Sequence, residues 1–142
     1  MGDPFIDLLY ALHGLATSHR EGHWLSKGLH FYPNHLLLGE LYTTASAEED
    51  EIAERILGTQ LCAEVSLTAS PILDGAARFL SLFPPVMDPM ARALVLECAY
   101  LDMLGAIQPP TRGWEDLLGA HCSAHERAVY LLKRNQAQPA LP

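Results

Sequence analysis

Positive charge is scarce in this chain. Nine Lys and Arg stand against 17 Asp and Glu, a formal net charge of −8. Affinity for nucleic-acid phosphates rests on clustered cations, so tight nucleic-acid binding is not expected. Cysteine is sparse too. Cys62, Cys98 and Cys122 are odd in number and lack a paired spacing, which points to reduced thiols rather than a disulfide framework. No apolar run approaches the length of a membrane span, and the amino end lacks the basic, apolar and small-residue order of a signal peptide. A cytoplasmic protein without a membrane partner is the expectation. Glycine-rich phosphate loops, a nucleophile elbow and Cys-x-x-Cys are all missing, so nucleotide chemistry, serine hydrolysis and thiol relay have no anchor. No predicted helix carries Glu-x-x-His, which leaves a di-iron centre inside one subunit without support.

What the chain does have is apolar content, 49% of 142 residues, enough for one buried core and one domain spanning residues 1–142. Its pattern is helical throughout. Asp3 can cap a first helix and Pro4 suits its first turn, after which Phe5, Leu8, Leu9, Leu12, Leu15 and Ala16 form one stripe that continues to His19 and His23. A second helix is predicted from about Asn34 to Leu57, stopped by Gly58. Ser70-Pro71 reads as the cap and first turn of a short amphipathic helix with Ile72, Leu73, Ala76, Phe79 and Leu80. Phe83-Pro84-Pro85 breaks the chain, Asp88-Pro89 opens a third long helix to about Ile107, and Pro109-Pro110 ends it. The fourth runs from about Trp114 to Asn135. The expectation is an all-α four-helix bundle, with a short extra helix in the long connection between helices 2 and 3.

On this scaffold His23, His35, Asp50 and Glu54 are side chains that first-row metals accept. Asp50 and Glu54 are i, i+4 neighbours and can hold one ion together. His35 precedes Asp50 by fifteen residues, about 22 Å along a helix, and cannot reach the same ion in the same chain. Gly28 and Pro33 can turn the chain so that His23 meets His35. The result is a histidine half-site and a carboxylate half-site, which a second antiparallel copy in a two-fold homodimer would bring together.

His23-Trp24, His35 after eleven intervening residues, Asp50 after fourteen more and Glu54 after three, within Asp-Glu-Ile-Ala-Glu-Arg-Ile, resemble the miniferritins of the Dps family. Gly28, Phe31 and Glu40-Leu41-Tyr42 fall at similar offsets. The resemblance implies a ferritin-like bundle assembled through two-fold pairs into a hollow dodecamer. It also implies a ferroxidase centre across the dimer interface, with His23 and His35 from one subunit and Asp50 and Glu54 from its mate. Fe(II) would be oxidised there by peroxide or dioxygen and stored as ferric mineral, protecting against oxidative damage. Zinc or manganese could take the same ligands. Trp24 and Glu40 would stand behind the ligands, Trp24 being otherwise a core or interface aromatic. The family usually has an Asp four residues after the second His, where this chain has Gly39, leaving four ligands rather than five. A ferritin-like shell with a degenerate ferroxidase site is the alternative that follows.

The last helix holds a second constellation, His121 and His125 one turn apart. Such a pair can chelate an ion as an auxiliary iron-transit or zinc site, or can simply face solvent or a subunit contact. In DinB/YfiT-like metalloproteins a late His-x-x-x-His joins an earlier histidine in a three-His site. That is the alternative fold family, and it leaves the earlier four-residue spacing unexplained. His13, His19 and His30 are read as surface residues or supports.

Overall fold

The first long helix, α1 (Pro4–Leu25), starts where Asp3 accepts hydrogen bonds on Oδ1 from the backbone N–H groups of Phe5 and Ile6, at 2.8 and 3.3 Å. These satisfy two donors that no earlier turn can reach. The computed structural model containing it describes residues 2–59, 61, 64–85 and 87–136. Cys62 and the last six residues lie outside the described residues, whereas Cys98 and Cys122 are free thiols.

After α1 the chain reverses through Gly28, whose φ of +92° suits a residue without a Cβ. The second helix, α2 (Phe31–Thr59), begins earlier than the sequence suggests. Pro33 lies in its first turn rather than ahead of it, where the missing N–H breaks no helical bond. Gly58 does not end the helix. It runs on to Thr59, whose hydroxyl donates to the Arg55 carbonyl and accepts from Trp114 Nε1.

A 3₁₀ turn (Glu64–Leu67) leads to the short helix α3 (Ala69–Ser81). Thr68 stands at its cap position and its hydroxyl turns back to the Val65 carbonyl, so Ser70 is inside the helix and does not cap it. α4 (Pro89–Ala106) opens on Asp88, which accepts from the N–H groups of Met90 and Ala91, each at 3.1 Å. α5 (Arg112–Gln136) starts two residues before Trp114, with the Thr111 hydroxyl accepting from the Trp114 N–H.

α1 packs against α2, α3 and α4, and α4 against α5. Most of the core comes from Leu8, Leu12 and Leu15 of α1 with Ile52, Ile56, Leu96, Tyr100, Leu104 and Trp114. A smaller cluster lies towards the other end, with Leu38, Leu41, Met90, Ala93, Ala128 and Leu132. Between these apolar groups the buried stripes carry polar residues, His19 on α1, Glu48 on α2, Glu97 on α4 and His121 and His125 on α5. Among the described residues no helix is long and apolar enough to cross a membrane.

Candidate metal centres

The Gly28 turn brings His23, at the end of α1, onto His35, in the first turns of α2. Their rings stack with centroids 3.7 Å apart. Nδ1–H of His23 donates to the His35 carbonyl at 2.6 Å, and Nδ1–H of His35 donates to the His23 carbonyl at 2.7 Å. In each neutral ring this places the lone pair on Nε2, which is how a protein fixes the tautomer of a metal-binding histidine. Phe31 stacks on His35 and Tyr42 meets His23 edge-on.

Several large apolar side chains near this pair in the chain are not buried. Trp24, Leu29, Tyr32 and Leu36 are all exposed, Leu29 at 94%. Trp24 is therefore not a core residue, and the interface or iron-side role remains for it.

Asp50 and Glu54 lie exposed on the outer face of α2. Fifteen residues of helix, about 22 Å, separate Asp50 from His35 within the chain. Among the described residues no three His, Cys, Asp or Glu side chains are grouped to hold an ion. Glu40 points elsewhere. It accepts a hydrogen bond from Arg127 of α5 at 2.7 Å on the bundle's outside. Gly39, at the position of the missing acid, lies against the His23 ring.

The bundle interior departs most from expectation. His19 is not a surface residue but 1% exposed, and His121 and His125 are each 2% exposed, so neither faces solvent. His125 lies between two carboxylates. Its Nε2 is 2.5 Å from Glu48, and its Nδ1 is hydrogen-bonded to Glu97. Glu97 uses its other oxygen for His19 Nε2 at 2.9 Å, and His121 Nε2 stands 3.3 Å from Glu51. His13 pairs with Glu49 at 2.9 Å, and His30 is exposed.

Burial alone would push the His125 pKa down, but hydrogen bonds to Glu48 and Glu97 and their negative charge lift it to about 9. Burial would raise Glu97, but hydrogen bonds from His125 and His19, with the charge they supply, bring it to about 2. His125 is thus an imidazolium that donates to both carboxylates. Glu48 and Glu97 were missed in the sequence, yet the signal was present. On α5, Trp114, Leu118, His121, His125, Ala128 and Leu132 recur at three- and four-residue steps, and Glu48 interrupts an equally regular stripe between Ala45 and Ile52. A charged residue inside such a stripe must meet a partner from another helix.

No family model matches the chain. An uncharacterized protein of Haemophilus influenzae is 39% identical over 57 residues, which is 40% of this chain and spans 36% of that relative's length. Among solved structures, the Dps protein of Vibrio cholerae O1 is described as a member of a broad superfamily of ferritin-like diiron-carboxylate proteins. It matches with a TM-score of 0.61 over 94% of this chain and 87% of its own, at 20% identity. The chain therefore has a Dps-like, ferritin-like fold.

Proposed function

We propose that this protein sequesters iron as a Dps-like miniferritin. In this reading two copies pair antiparallel about a two-fold axis. His23 and His35 of one copy, with Asp50 and Glu54 of the other, then bind Fe(II) as substrate. The observation that supports the reading is the reciprocal His23–His35 lock, which occupies both Nδ1 atoms and leaves Nε2 of each ring as the nitrogen that could take a metal.

The mixed donor set does the chemistry expected of it. The imidazoles hold Fe(II), and the carboxylates favour the harder Fe(III), so loss of an electron becomes easier. Peroxide takes one electron from each of two ferrous ions, its O–O bond breaks, and two protons complete two waters. Dioxygen is the alternative oxidant, and zinc or manganese are competing ions. Trp24, adjacent to His23 and exposed, would face the centre from the interface, while Glu40 is engaged by Arg127 and is left without a role in it. The pairs would assemble into a hollow dodecamer whose acidic cavity stores ferric mineral, protecting a cytoplasm against oxidative damage without tight nucleic-acid binding.

Ferrous oxidation followed by absorbance, with peroxide and with air, tests this on the natural protein and on an Asp50→Ala, Glu54→Ala double variant. Oxidation faster than buffer in the natural protein, lost in the variant, is expected. Rates that match buffer for both proteins would point instead to a degenerate site on a ferritin-like shell or to one that holds another metal. Light scattering measures the assembly, for which a dodecamer is expected.

A further inference from the structure

The His23 imidazole is held by more than its hydrogen bond to the His35 carbonyl. The ring stacks on His35, and Gly39 lies beside its Nδ1 and Cε1. A further contact comes from Tyr42 of α2, whose ring meets His23 with centroids 5.3 Å apart and planes at 67°. Tyr42 is itself covered by Arg20 of α1, whose guanidinium carbon stands 5.2 Å from the ring centroid. Both distances fall where an aromatic pair, and a cation over a ring, attract.

The contacts run in sequence from Phe31 through His35, His23 and Tyr42 to Arg20, crossing between the two helices. Arg20 and His23 are i, i+3 neighbours on α1 and share a face. Tyr42 follows His35 by seven residues, about two turns, so α2 presents both rings to that face. Core packing does not account for Tyr42. It belongs to neither apolar cluster of the bundle, and the Arg20 that covers it is an exposed residue.

A ring tied by one Nδ1–H bond can still swing about that bond, and the swing moves Nε2. A contact away from the bond, such as the one from Tyr42, restrains it. Both contacts of Tyr42 are made by its ring, and the hydroxyl takes part in neither.

On the iron reading above, we propose that Tyr42 is a positioning residue for His23 and that Arg20 steadies Tyr42 in turn. Together they set the plane of the His23 ring and with it the place of Nε2. The aromatic ring does this work, so phenylalanine can replace the tyrosine and an aliphatic side chain cannot.

Zinc alone is the probe, its affinity for the full-length protein measured by competition with a chromophoric chelator. His23→Ala is the reference for a lost ligand. Tyr42→Leu should weaken binding about tenfold, the scale on which residues supporting a metal-binding histidine act. Tyr42→Phe should keep the native affinity. Arg20→Leu changes an exposed residue, and should weaken binding several-fold with the melting temperature unchanged. Circular dichroism checks that each variant keeps its helices. Native affinity in Tyr42→Leu, where His23→Ala has lost it, overturns this inference and leaves the iron reading standing. Equal losses in Tyr42→Phe and Tyr42→Leu overturn it as well, because the hydroxyl would then be the group that matters. A zinc affinity that His23→Ala does not change overturns both readings.

Discussion

A Cβ added to Gly39 would stand 3.0 Å from both Cε1 and Nδ1 of His23. The position where the sequence resemblance leads one to expect an acid is here in contact with the imidazole itself. A side chain at residue 39 would press on the His23 ring in its stack on His35.

Gly39→Ala separates stability from function. Replacing glycine in a helix gains up to about 1 kcal/mol in propensity, while the His23 ring must yield by a few tenths of an ångström. The melting temperature should therefore change little. Ferrous oxidation should fall several-fold, because small misplacements of reacting groups cost rate steeply. An unchanged oxidation rate in a well-folded Gly39→Ala protein would remove His23 from the proposed site.

The buried network sets a pH window for stability. His125 is raised from 6.5 to about 9 in the folded chain, so its contribution is complete below pH 6.5 and is lost as pH rises through 9. Glu97 is lowered from 4.5 to about 2, so its contribution is complete above pH 4.5 and is lost as pH falls through 2. Urea unfolding across pH should show the network contributing fully between about pH 4.5 and 6.5. A flat profile from pH 6.5 to 9.5 would contradict the assignment of His125 as the shared donor.

His125→Leu should destabilise the bundle by about 3–5 kcal/mol at neutral pH, since it leaves Glu48 and Glu97 buried without their common donor. The variant should also lose the alkaline decline in stability. Both are read from the same denaturation series, and a cost near zero would show that the two carboxylates have other partners.

Tyr100→Phe has the opposite sign. The Tyr100 hydroxyl is buried with no hydrogen-bond partner among the described residues, and its ring packs edge-on against His125 at 4.6 Å. Removing the oxygen keeps the ring and ends the desolvation of an unpaired polar group, a gain of about 1 kcal/mol in unfolding free energy. A loss of that size would mean that the hydroxyl has a partner in solution.

Much of the architecture can be read from short stretches of chain. Asp3-Pro4 and Asp88-Pro89 start helices because an aspartate reaches N–H groups two and three residues ahead, whatever the rest of the protein does. The apolar stripes mark which faces pack, and the short turn at Gly28 brings His23 to His35. Where local signals conflicted, the neighbours decided. Pro33 was compatible with a boundary or with a first helical turn, and Thr68 lay outside the Ser70-Pro71 pattern that suggested a cap.

The polar layer needed all four long helices. The stripe Ala93, Glu97, Tyr100 and Leu104 marks Glu97 as inward-facing, but nothing near it in the chain shows that it will meet His19 and His125, because those partners come from α1 and α5. Caps and periodicity are properties of neighbours within one or two turns, so the chain alone determines them. A buried charge is tolerated only if a complementary group arrives from another element at hydrogen-bonding distance, and that arrival is settled when the helices pack.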